Sequence, residues 1–140
     1  MERRNFLKTT GSVCAMVSIA MVTGSLTSCS QLPIYKTAIL ENKVAVPLNL
    51  FQQTSLQIIK PAGYDYNIAL QKENDGTFTA LLLRCTHSDN QLSSTGNGFV
   101  CNLHGSRFDK EGIVLKGPAE RPLKRLRTSL SSDNVTIYLS

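Results

Sequence analysis

Two short cysteine–histidine pairs constrain this chain more than anything else in it. Cys85 and His87 form a C-x-H pair, Cys101 and His104 form a C-x-x-H pair, and only residues 88–100 separate them. The chain has two histidines in 140 residues, and both fall within positions 85 to 104. A metal centre is the economical explanation. Thiolate with imidazole suits zinc, copper or iron–sulfur chemistry. Structural zinc sites usually pair cysteine with cysteine and histidine with histidine. Here each pair carries one of each, and C-x-H is too tight for the usual zinc turn.

That mixed arrangement resembles the Rieske family, in which two cysteines hold one iron of a 2Fe-2S cluster and two histidines hold the other. The likeness continues past the pairs. His104-Gly105-Ser106-Arg107-Phe108-Asp109 is similar to the family's H-G-S-x-Y/F-D segment. Gly112 and Gly117-Pro118-Ala119 are similar to the glycine after the second knuckle and to the loop that covers the cluster. The resemblance spans roughly residues 80–120.

It implies one 2Fe-2S cluster, with Cys85 and Cys101 on a buried iron and His87 and His104 on an outer one. It further implies that the Ser106 hydroxyl donates to a cluster sulfide, and that Gly117 and Pro118 lie in the covering loop. Two departures set the chain apart from the quinol-oxidising branch of the family. There each knuckle carries an extra cysteine, and the two form a disulfide; the matching positions here hold Asn90 and Leu103. The family's hydrogen-bonding tyrosine is replaced by Phe108, which has no hydroxyl. A cluster potential below that of the quinol-oxidising proteins is expected.

The N-terminus reads as an export signal. Glu2-Arg3-Arg4-Asn5-Phe6-Leu7-Lys8 resembles the twin-arginine motif R-R-x-F-L-K, followed by an apolar run diluted with Gly, Ser and Thr. The run is short and interrupted for a transmembrane helix, which needs about 20 apolar residues; an uncleaved anchor helix is the competing reading. Leu26-Thr27-Ser28-Cys29 resembles a lipobox, which implies lipidation at Cys29 and a membrane anchor. The twin-arginine route carries folded proteins, so a cluster can be inserted before export. The expected layout is a signal peptide at 1–28, a tether at 29–43 and a Rieske domain at 44–140.

Of the four cysteines, Cys14 lies in the leader, Cys29 at the processing site, and Cys85 and Cys101 in the metal pairs. No pair remains for a disulfide, although export would permit one. Net charge is +5, but setting aside Glu2, Arg3, Arg4 and Lys8 leaves 12 basic and 9 acidic side chains. That is too mild for a nucleic-acid footprint. Lys116, Arg121, Lys124, Arg125 and Arg127 cluster around the covering loop, where they could steer an acidic partner.

Outside the leader the patterning predicts strands. Val44–Leu50 and Thr54–Lys60 read as strands, with Pro47 marking an edge. Tyr64–Gln71 and Thr77–Arg84 flank Glu73-Asn74-Asp75-Gly76, a strong hairpin signal that delivers Cys85 to a sheet end. Asp109-Lys110-Glu111-Gly112 reads as a second turn, and Leu123–Leu130 with Val135–Leu139 as a last hairpin. No segment shows a helical period. The expected fold is all-β and antiparallel, Rieske-like, with the cluster held by two knuckle loops at one tip.

The expected function is that of an exported, lipid-anchored single-electron carrier serving a membrane or periplasmic redox system. No substrate-binding motif is present, so catalysis would belong to a partner. Three alternatives stand beside it: the iron–sulfur subunit of a quinol–cytochrome oxidoreductase, a cytosolic ferredoxin feeding an oxygenase, and a structural zinc-binding lipoprotein without redox chemistry.

Overall fold

In the computed structural model, residues 32–140 are described. Arg3, Arg4, Cys14 and Cys29 lie outside them, and so do the export and lipidation readings.

Turn chemistry builds the first hairpin. Strands β4 (Ile68–Lys72) and β5 (Phe78–Leu82) pair antiparallel. Between them the Gly76 N–H donates to the Glu73 carbonyl at 3.0 Å, and the Glu73 N–H donates to the Thr77 carbonyl at 2.8 Å. The Asp75 carboxylate accepts from the Thr77 amide and hydroxyl at 2.9 and 2.7 Å. Strand β3 (Leu56–Pro61) adds antiparallel to β4, and β1 (Ile34–Thr37) adds parallel to β3. Strand β10 (Arg125–Leu126) closes the other edge, giving the order β1-β3-β4-β5-β10. A second sheet holds β11 (Thr128–Leu130), β12 (Asn134–Tyr138) and β2 (Lys43–Pro47), in that order. A third is an antiparallel meander of β6 (Ser93–Ser94), β7 (Gly98–Val100), β8 (Arg107–Asp109) and β9 (Val114–Lys116).

The five-stranded sheet is buried on both faces. Successive side chains of a strand point to opposite faces. Ile59, Ile68, Leu70, Ala80 and Leu82 therefore pack with Val44, Val46, Val135 and Ile137 of the second sheet. Their neighbours Ile58, Ala69, Leu81 and Leu83 pack the other way, with Phe99 and Phe108 of the meander. Each such Leu, Ile or Phe contributes about 1.5–3 kcal/mol by leaving water. Cys85 and Cys101 are members of this second core, so the two cysteine–histidine pairs rest on the packed interior. Gly98 permits the close approach of β7 to β8, since a Cβ there would run into the Phe108 carbonyl.

Three strand expectations change. Ile34–Thr37, assigned to the tether at 29–43, forms β1. Its parallel pairing to a strand over twenty residues away leaves no local pattern, and among the described residues it is the one departure from antiparallel order. The strand expected over Val44–Leu50 ends at Pro47, and Leu48–Phe51 turns as a 3-10 helix. Pro47 lacks a ladder donor and stands on an edge strand, as the sequence implies. The apolar residues beyond it bury without the sheet, Phe51 meeting Phe78 edge to face at 5.0 Å. The strand expected over Leu123–Leu130 divides at Arg127, with β10 in one sheet and β11 in another.

Candidate metal centre

Each cysteine opens a loop of one design. After β5 the chain bridges Arg84 to Gln91 and folds residues 85–90 into a loop. There the Cys85 N–H donates to the Asn90 carbonyl at 2.8 Å, and the Asp89 N–H donates to the Cys85 carbonyl at 3.0 Å. Between β7 and β8, whose Val100 pairs with Arg107, residues 101–106 repeat the design. The Cys101 N–H donates to the Ser106 carbonyl at 2.8 Å, and the Gly105 N–H donates to the Cys101 carbonyl at 2.9 Å. The fifth residue of each loop is left-handed, Gly105 at φ 79° and Asp89 at φ 53°. Glycine adopts that conformation without cost. Asp89 is held by the Arg84 guanidinium at 2.7 Å, and its carbonyl accepts from the Tyr66 hydroxyl at 2.7 Å.

The four predicted donors come together at two depths. Cys85 and Cys101 are fully buried, free of disulfide and packed beside Leu92, Phe99 and Phe108. His87 and His104 are exposed above them, with ring centroids 5.3 Å apart and planes at 78°. Among the described residues, no three His, Cys, Asp or Glu side chains gather tightly enough to hold one metal ion; the arrangement is two pairs. Burial pushes the Cys101 thiol up. The Ser88 hydroxyl, the Leu103 N–H, the Cys85 side chain and the His104 N–H outweigh that effect and hold it below the ordinary thiol value.

Ser106 is fully buried, and its Oγ accepts from the Ala119 N–H at 3.0 Å. The hydroxyl proton therefore remains to be given elsewhere. Phe108 fills the core between the loops and offers no donor. Gly117 and Pro118, joined by a cis bond, are exposed, while Ala119 is buried. The segment they begin is tied to both loops. Ala119 bonds the second through Ser106, and the Arg121 carbonyl accepts from the Thr86 hydroxyl of the first at 2.7 Å. Leu123 anchors it through an N–H to the Gly112 carbonyl at 2.8 Å. Asn90 is half-buried and Leu103 is 57% exposed; neither is a cysteine, so these positions form no disulfide.

Of the basic cluster, Arg121 and Lys124 line an open cleft of about 340 Å³ with Arg84 and Thr86 beside the first loop. The sequence reading missed three contributors: Thr86 and Ala119 as ties of the covering segment, and Ser88, whose Oγ lies 3.5 Å from the Cys101 Sγ. Their contacts span 13 to 35 residues; only Ser88, flanking His87, carried a local signal.

Comparison with known proteins agrees with this geometry. The Rieske [2Fe-2S] domain family model matches residues 36–127. Cytochrome b6-f complex iron-sulfur subunit 2 of Nostoc sp. is 35% identical over 72 residues, which cover 49% of this chain and 40% of that protein. The cytochrome b6-f complex iron-sulfur subunit of Synechococcus sp. is 38% identical over 55 residues, covering 38% of this chain and 31% of the relative. The match thus spans less than half the length of these curated relatives. A chain from the complex of reduced oxygenase and oxidized ferredoxin in carbazole 1,9a-dioxygenase shares the fold. Its TM-score is 0.51 at 19% identity, over 71% of this chain and 95% of that one.

Proposed function

The chain belongs to the Rieske [2Fe-2S] domain family, and from that premise we propose that Cys85, His87, Cys101 and His104 hold its one cluster in an exported single-electron carrier. The observation that carries the ligand assignment is the split into two depths: two sealed thiols beneath two solvent-facing imidazoles. A group with two metals, one sulfur-ligated and inner, one nitrogen-ligated and outer, fits that donor set. A structural zinc ion needs four donors around one point, and among the described residues no three of these side chains gather that tightly.

A 2Fe-2S cluster held by these four residues would supply one-electron redox chemistry. Around it the protein's residues set the terms. Thiolates at Cys85 and Cys101 carry the negative charge, and two neutral imidazoles keep the ligand set less anionic than four thiolates would. Backbone hydrogen bonding from Leu103 and His104 helps hold the Cys101 thiol below its ordinary value. Ser106 keeps its proton for a cluster sulfide, because its oxygen already accepts from Ala119. His87 and His104 form the exposed face through which electrons pass to a partner. Arg121 and Lys124, in the cleft beside the first loop, favour an acidic partner surface.

Arg3 and Arg4 support export of the folded protein by the twin-arginine route. Cys29 supports a lipid anchor, with acyl chains adding about 0.8 kcal/mol per buried methylene. A second reading, the iron–sulfur subunit of a quinol–cytochrome oxidoreductase, draws on the likeness to cytochrome b6-f subunits. Asn90, Leu103 and Phe108 stand against it, since the disulfide and the tyrosine hydroxyl of that branch are missing. Voltammetry separates the two. Rieske centres span about −150 to +300 mV. The carrier reading expects a reversible one-electron wave in the lower or middle part of that span, and a value at its top would restore quinol oxidation.

A further inference from the structure

Ser88 is left without a role by the ligand assignment. Because the two loops make the same pair of backbone hydrogen bonds, their residues correspond one to one: Cys85 with Cys101, Asp89 with Gly105, Asn90 with Ser106, and Ser88 with His104. At that shared position the second loop turns an imidazole out to solvent, whereas the first keeps a half-buried hydroxyl. The hydroxyl reaches across to the other loop, its Oγ 3.5 Å from the Cys101 Sγ. At a deprotonated sulfur the direction is settled, because a thiolate can only accept and the hydroxyl must donate. No other hydrogen bond engages the Ser88 side chain among the described residues.

We infer that Ser88 is a positioning residue for electron transfer, whose hydroxyl donates to the Cys101 sulfur across the two loops and raises the potential of the centre. This rests on the ligand assignment proposed above. Reduction adds negative charge, part of which falls on the ligand sulfurs, so a donor aimed at one of them favours the reduced state. Phe108 can give no such bond. Ser88 supplies one from a different loop to a different part of the site. It also joins the loops across a gap that Asn90 and Leu103 leave without a covalent link.

The test compares midpoint potentials of the purified, cluster-bearing wild type with Ser88→Ala, Ser88→Thr and Ser88→Val. Thr and Val have nearly the same shape, and only Thr keeps the hydroxyl. Ser88→Ala and Ser88→Val should lower the oxidised-to-reduced equilibrium by about threefold to tenfold, or roughly 30–60 mV at 59 mV per decade for one electron. Ser88→Thr should stay near the wild type. Should Ser88→Ala fail to retain the cluster, the Thr and Val pair decides alone. Equal midpoints for Thr and Val overturn the inference, whether both match the wild type or both fall together. A wild type without iron and sulfide would instead sink the ligand assignment, which keeps the two failures apart.

Discussion

Replacing Ser106 by alanine should damage the protein in two separable ways. The first is structural. Ser106 is fully buried and its Oγ accepts the Ala119 N–H at 3.0 Å, so the substitution strands a buried amide. An unpaired buried donor costs about 1–3 kcal/mol, and that loss should appear in chemical denaturation. The second is electronic. Its oxygen accepts from Ala119, which leaves the hydroxyl proton free to be donated to a cluster sulfide. A charge-assisted bond favouring the reduced state by about 1–2 kcal/mol corresponds to roughly 40–90 mV for one electron. Voltammetry of Ser106→Ala should therefore show a midpoint lower by that amount, while denaturation shows the separate loss of stability. A variant that is destabilised but keeps the wild-type potential would refute the donor role and leave Ser106 as a structural acceptor alone.

Phe108→Tyr should raise the midpoint, because it restores the hydroxyl that this position lacks; an unchanged value would mean that the new group does not reach a sulfur. The Asp75 carboxyl is held below its usual value by the Thr77 hydroxyl and then by the Thr77 amide. A depressed folded value stabilises above the ordinary carboxylate range, near pH 4, and that support is lost as pH falls through the folded value. Unfolding curves of wild type and Asp75→Asn should accordingly differ at neutral pH and converge in acid. Cys29→Ala should yield an unprocessed or soluble protein in membrane fractionation, because the acyl chains supply the anchor. An unmodified Cys29 in the mass of the native protein would remove that reading.

The candidate site was legible because its proposed donors are local. Cys85 with His87, and Cys101 with His104, announce themselves by spacing, and the turns at Glu73–Gly76 and Asp109–Gly112 form where their residue types demand. The correspondence of the two loops was hidden because different residues meet one backbone need: Gly105 turns left-handed without cost, while Asp89 does so with Arg84 and Tyr66 in support. Strand β1 escaped because a parallel pair to β3 depends on residues far away in sequence. The split at Arg127 escaped because Leu123–Leu130 looks like one strand until two sheets compete for its halves. The double burial of β4 and β5 shows only as short apolar runs, Ile68-Ala69-Leu70 and Ala80 to Leu83, which periodicity alone cannot assign. Ser88 was legible as a neighbour of His87 but not as a partner of Cys101, since that contact forms only when two loops meet.

Iron and acid-labile sulfide, counted per chain in the purified protein, test the central claim most directly. If Cys85, His87, Cys101 and His104 hold a 2Fe-2S cluster, each should be found at about two per chain, in a red-brown protein. One zinc per chain with no sulfide, in a colourless protein, would contradict the account.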